Sequence, residues 1–290
     1  MTANVVIHLS TSRSPDQAWN AQVVHSQTGG RLMCVDTPRR AGEPPVAGAA
    51  IFSPRRMEDV FATAMASPHG GVIDVMPPHS AAVIDFMKQR PGTVESMSAF
   101  VVSVARHESS QRQVTELIEE LVTARMHGDQ LRLIFVDAHP EGSMETDYSH
   151  LLGRLRLAEF PHCTTEAFFA ASSTLESARE YQLPLALVLN QMVDFEAELG
   201  IARSTGAPQS TLHQLALKVL AQCKLLAARA EINLFFDRLL LSRAADTQWL
   251  DEMLHAWRLA NPEQSAITEP AGTNLHDGQR SDEQSDIVEA

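Results

Sequence analysis

Five short apolar runs, each followed or preceded by a segment with helical character, constrain the fold of this chain most. Residues 5–9 read VVIHL and lead into Ser10-Thr11-Ser12-Arg13-Ser14. A parallel strand buried on both faces has this near-continuous apolar character. Ser14-Pro15-Asp16-Gln17 comes next, with serine placed as an N-cap, proline at the first helical position and glutamine three residues after the cap. That combination starts a helix. The helix is expected to run to about residue 26 and to stop at Thr28-Gly29-Gly30. Residues 31–38 then form a second strand carrying Asp36 near its end. Strand, loop, helix and strand in so short a span make a βαβ unit, which implies parallel strands and a right-handed crossover.

The alternation continues. Residues 41–50 read as a loop, 56–65 as a short helix, 70–78 as a third strand carrying Asp74, and 81–89 as a helix. A fourth strand at 99–105, a long amphipathic helix at 110–126 and a fifth strand at 131–137 complete the pattern. The fold expected is α/β, a doubly wound and mostly parallel sheet. After residue 150 the pattern becomes helical: 164–181 and 185–199 around Pro184, a break at 204–208, one long apolar helix over 211–243, and a last helix over 246–259. Beyond residue 261 low hydrophobicity with Gly, Pro, Ser and acids predicts disorder. The expected organisation is therefore an α/β domain over 1–200, a C-terminal helical segment over 201–261 and a disordered acidic tail over 262–290.

Charge and cysteine content narrow the function classes. The tail carries seven acids against Arg280, −6 of the total of −13, which leaves −7 for the rest of the chain. Sequence-independent DNA binding needs a basic footprint, so strong direct DNA binding is not expected. No apolar run is long enough for a transmembrane helix, and Met1-Thr2-Ala3-Asn4 has none of the features that open a secretory signal. Cys34, Cys163 and Cys223 are odd in number and far apart. They read as small hydrophobes in a reducing compartment, and a cytoplasmic location is expected.

Three segments carry a resemblance to a known family. The strand at 5–9 with its following loop, Cys34-Val35-Asp36-Thr37-Pro38, and Val72-Ile73-Asp74 ahead of a turn stand in the order of a phosphate loop, an "IDTDP" segment and a Walker B strand. In these the chain resembles the ParA/MinD P-loop ATPases, and among them the branch tied to plasmid stability and conjugative transfer. The resemblance implies a P-loop NTPase-like fold. Its phosphate loop would be Ser10, Thr11, Ser12, Arg13 and Ser14, and its former or residual Mg-shell acids Asp36 and Asp74. The departure lies in that loop. The family's loop has glycines that turn backbone N–H groups toward phosphate and a lysine that reaches the terminal ones. This one has neither, and Pro15 and Asp16 follow it.

Without those donors phosphoryl transfer loses its main electrostatic support. The expectation is an accessory protein of plasmid maintenance or conjugative transfer that acts by protein–protein contact, without ATP hydrolysis and without a cofactor. Two alternatives stay open: a partition-type ATPase that uses ATP and Mg through an atypical loop, and an α/β structural adaptor unrelated to plasmids. From the residues themselves, Asp36 and Asp74 read first as a solvated turn acid or a helix cap, and only on the resemblance as Mg-shell acids. The histidines show no metal-binding spacing, no GxSxG follows a strand as a Ser-His-Asp hydrolase would want, and no GxGxxG follows the first strand. The helix over 211–243 is apolar on more than one face, so it is either a central core helix or an interface. On the interface reading a homo-oligomer or obligate complex forms around Ile232, Phe235, Phe236, Leu239 and Leu240.

Overall fold

The computed structural model describes residues 4–11, 15–36, 49–90, 92–136, 143–157, 177–244 and 247–262. Six strands form one sheet: β1 (Val5–Ser10), β2 (Arg31–Val35), β3 (Ala49–Phe52), β4 (Gly71–Val75), β5 (Ala99–Ala105) and β6 (Leu131–Val136). Their order is β3-β2-β4-β1-β5-β6, and every neighbouring pair is parallel. The chain leaves β1 through α1 (Pro15–Thr28) toward β2. It then returns through α2 (Met57–Ala66), α3 (Ser80–Lys88) and α4 (Glu108–Thr123), stepping across the sheet to β6. With crossovers of one hand, reversing the direction of travel moves the connecting helix to the other face. Trp19, Val23 and Val24 of α1 accordingly pack with Val6, Val72 and Val101. Phe61, Ile84 and Ile118 of α2, α3 and α4 pack with Ile7, Ile73 and Val102 on the opposite face. Helices on both faces and a direction reversal at β1 are the arrangement a doubly wound fold requires.

That winding leaves an imbalance. Six strands at about 4.8 Å spacing make a face well over twice the width of a helix, which is about 10 Å across. One crossover helix cannot cover it. The second face already has three helices and gains α6 (Ser149–Leu157), which follows the single turn α5 (Met144–Asp147). The α1 face is completed by the C-terminal helices: α7 (Leu185–Leu189), α8 (Phe195–Ser204), α9 (Gln209–Ala227), α10 (Arg229–Arg238) and α11 (Gln248–Ala260). Leu187, Phe195, Leu225, Ile232, Phe235, Leu239 and Trp249 share one apolar cluster with Val6 and Val101 of the sheet. The boundary expected at residue 200 thus falls inside α8, and the helices after it are a layer of the same body.

Several local expectations need correction. The sheet has a strand the apolar pattern did not reveal, β3, within and just after the stretch read as a loop; its alanines have weak strand character, and among the described residues it pairs with β2 alone. The helix expected over 185–199 is two helices, because Gln191 turns into the left-handed region (φ 57°) and the Asp194 carboxylate accepts from the N–H groups of Glu196 and Ala197 at 3.0 and 3.2 Å. The long helix over 211–243 breaks at Ala228 and ends at Arg238, with Leu240 left-handed at φ 52°. The predicted helix over 164–181 lies outside the described residues up to 176; residues 177–180 are helical. The tail over 262–290 lies outside them except for Pro262.

Two glycines seat the strands at their amino-terminal ends. Gly70 has φ 71°, and a Cβ there would stand 2.1 Å from the Asn4 carbonyl oxygen. Gly30 has φ 78°, and its Cβ would stand 2.3 Å from the Gly70 oxygen. Only glycine allows this conformation and this approach together.

Candidate functional site: a buried polar chain beneath the first helix

Each of three adjacent central strands carries a polar residue within its apolar stretch on the α1-facing side: His8 in β1, which also ends on Ser10, Asp74 in β4 and Ser103 in β5. Register places His8 directly beside Asp74 and sets Ser103 level with Ser10, one inward-facing position beyond His8. Side chains on one face of neighbouring strands meet at such positions. His8 Nδ1 lies 2.8 Å from Asp74 Oδ1, and His8 Nε2 lies 2.8 Å from Ser103 Oγ. Asn20 reaches down from α1 and donates through Nδ2 to the same Ser103 oxygen at 2.9 Å. All four residues are at least 96 % buried.

The donors and acceptors form a single consistent chain. A carboxylate only accepts, so Nδ1–H of His8 donates to Asp74, and in the neutral imidazole Nε2 is then an acceptor. The Ser103 hydroxyl then donates to Nε2 and accepts from the Asn20 amide. An Asp-His-Ser chain with this proton order is also the resting arrangement of a hydrolytic triad. Here Ser103 is wholly buried, and Asn20 holds its other side where a substrate would have to approach. The chain therefore locks β4, β1, β5 and α1 together and leaves no nucleophile exposed.

The residues singled out from sequence are placed as follows. Ser10 ends β1 and is buried; Thr11 Oγ1 lies 3.0 Å from Ser110 Oγ in the first turn of α4. Ser110 Oγ also accepts from the Ala105 N–H at 3.1 Å, so Ser10 and Thr11 meet the end of β5 at the carboxyl edge of the sheet. Ser12, Arg13 and Ser14 lie outside the described residues. Asp36 follows β2 and is buried, its N–H donating to the Phe52 carbonyl and its Oδ1 standing 3.6 Å from His79 Nε2. Asp74 pairs in register with Cys34, two residues before Asp36. The two acids are thus set apart: Asp36 at the carboxyl edge, Asp74 within the sheet beneath α1.

Ile232, Phe235, Phe236 and Leu239, expected at an interface, are each no more than 2 % exposed in the single chain. Phe236 has the Arg243 guanidinium 4.9 Å from its ring centroid. Leu240 alone of that set is on the surface. His8, Ser103 and Asn20 were missed by sequence reasoning, which sought metal spacings and a GxSxG turn. The signal was a lone polar residue inside each of three apolar strands.

Two further buried groups on the α1 side are electrostatically tuned. Burial lowers the His25 pKa to about 4, against the opposing effect of its hydrogen bond to the Gly30 carbonyl at 3.2 Å. Its ring lies edge-on to Trp249 of α11, with centroids 5.4 Å apart. Glu198 of α8 is pushed up to about 7, mainly by burial and partly offset by Lys218 of α9. Among the described residues, no group of three His, Cys, Asp or Glu side chains is placed to hold a metal ion, and no helix is long and apolar enough to cross a membrane.

Fold and site together define a six-stranded, all-parallel α/β protein with a buried polar chain at its centre. No protein-family model matches the chain, and neither a curated protein nor a solved structure matches it.

Proposed function

We propose that this chain is a ParA/MinD-like accessory protein of plasmid maintenance or conjugative transfer that works by protein–protein contact and does not hydrolyse ATP. One observation carries the reading. Asp74, the acid at the Walker B position on the resemblance, is buried one residue before the end of β4 and is held by His8 at 2.8 Å, short of the carboxyl edge where phosphates and Mg would sit. Its environment does not fit a metal-shell role, because the carboxylate is buried and its Oδ1 is engaged by a histidine that is itself tied to Ser103. The strand order supports the same family organisation: the loop-bearing strand β1 lies between β4 and β5, at the point where the winding reverses. The loop after β1 adds no glycine and no lysine.

The reading is tested by ATPase assay and by calorimetry with and without Mg. Expected are background hydrolysis and no Mg-dependent nucleotide binding. Mg-dependent turnover of about 1 per minute or faster, lost in Asp36→Asn, would sink it and favour the partition-type ATPase. The plasmid assignment has its own test: deleting the coding sequence should lower retention or transfer of the replicon that carries it, with Asp36→Asn restoring it. A replicon indifferent to the deletion leaves only the α/β adaptor.

A further inference from the structure

The inward faces of α9 and α10 are fully accounted for. Gln222, Leu225, Ile232, Phe236 and Leu239 are buried at helical spacing, and this phase carries through the break at Ala228, where the Ile232 N–H still donates to the Ala228 carbonyl at 3.0 Å. The opposite face is not. Leu220, Cys223, Ala227, Ala230 and Leu234 follow one another at steps of three, four, three and four residues, and all five are exposed. Leu220 and Leu234 are 61 % and 51 % exposed. That spacing is the seam of a two-helix coiled coil. Half-buried Val219 and Leu226 flank it on one side, and exposed Lys224 and Glu231 on the other.

This seam is self-complementary. Leu220 and Leu234 each stand seven residues from Ala227, so a two-fold axis at Ala227 brings each leucine onto the other in a second copy. The small side chains between them let the helices approach closely. Lys224 stands three residues before that axis and Glu231 four after it on the same flank, so each Lys224 comes within one residue of the level of the other copy's Glu231, whereas a parallel arrangement offers neither charge an opposite partner. Lys224 Nζ donates to Ser177 Oγ at 3.3 Å within its own chain, which leaves further ammonium protons for a carboxylate. We propose that the chain forms an antiparallel, two-fold homodimer through the outward face of α9 and α10, with Leu220 and Leu234 as anchors and Lys224–Glu231 pairs setting the direction. A closed, isologous interface of this kind uses one patch twice. It goes beyond the reading of the phosphate loop and stands whether or not nucleotide binds.

The experiment is light scattering of the full chain without nucleotide at tens of micromolar. The expected mass is twice the 31.8 kDa of one chain. Leu220→Glu with Leu234→Glu should halve it while leaving circular dichroism and the melting curve of the monomer unit intact, since both side chains are exposed. Lys224→Glu should weaken the dimer at least tenfold, and adding Glu231→Lys should restore it. With Cys223→Ser, Ala227→Cys should give a disulfide-linked dimer on mild oxidation. A wild-type monomer, a dimer indifferent to the leucine changes, or a charge reversal that the swap does not rescue would each overturn the interface and leave the hydrolysis reading untouched.

Discussion

The two faces of this sheet are built from the same strands yet solve different problems. Beneath α2, α3, α4 and α6 the strands present Ile7, Leu9, Ile73, Val75, Val102 and Val104, an apolar surface met by apolar helices. Beneath α1 the same strands present His8, Asp74 and Ser103 amid valines and alanines. The first face is held by area, which is non-directional and tolerates repacking. The second is held in part by a fixed donor–acceptor order, which admits one register of β4, β1 and β5 and one seat for α1. Sequential crossovers cover the apolar face. The polar face depends on a single early helix and on chain that arrives after the sheet is complete.

Breaking the polar chain should give the largest effect. His8→Ala leaves the buried Asp74 carboxylate without its hydrogen-bond donor and should destabilise by about 3 kcal/mol or more, read by denaturant unfolding. The pair replaced together, His8→Leu with Asp74→Leu, should recover most of that loss, because no buried carboxylate is left without a donor. If the double variant is as unstable as the single one, the chain does more than neutralise its own burial. On the other face, Val102→Ala should cost roughly 1–3 kcal/mol with no partner whose change rescues it.

Acid should sharpen the contrast next. His25 has a folded pKa lowered to about 4, so the unfolded chain takes up its proton first as pH falls. The stability tied to neutral His25 is complete above about pH 6.5 and is lost progressively down to about pH 4, a span worth about 3 kcal/mol. Because His25 touches Trp249, Trp249 fluorescence should report the loosening of α11 from α1 in that window. His25→Gln should flatten the dependence; an unchanged acid profile in this variant would place the sensitivity elsewhere.

The smallest effect runs the other way. Glu198 has a folded pKa raised to about 7, so stability tied to its protonated form is present below about pH 4.5 and falls as pH rises through 7. Lys218 and Arg258 moderate the loss and Asp194 adds to it. Glu198→Gln should therefore raise stability at pH 8 by about 1 kcal/mol, once the shift is discounted for solvent screening, and change little at pH 5. A destabilised Glu198→Gln at pH 8 would mean that the carboxylate pairs with Lys218 across α8 and α9 strongly enough to outweigh its burial.

Sequence by itself determined the parallel α/β alternation, because burial on both faces writes itself into local composition: VVIHL, GVIDV and AFVVSVA are recognisable wherever they fall. Pro15 opened α1 as expected, and the helices at 57–66, 80–88 and 108–123 lie within a few residues of their predicted positions, since caps and periodicity are local. Tertiary structure alone decided the rest. Nothing local to β3 marks it, as an Ala-Ala-Ile-Phe segment becomes a strand only through pairing with β2. Helix α9–α10 was apolar enough for core or interface, and its buried side was settled by the open width of the α1 face, which made Phe235 and Leu239 core. The polar chain is the clearest case. His8, Asp74 and Ser103 are far apart along the chain, and only the register of three adjacent strands brings their side chains within hydrogen-bond reach.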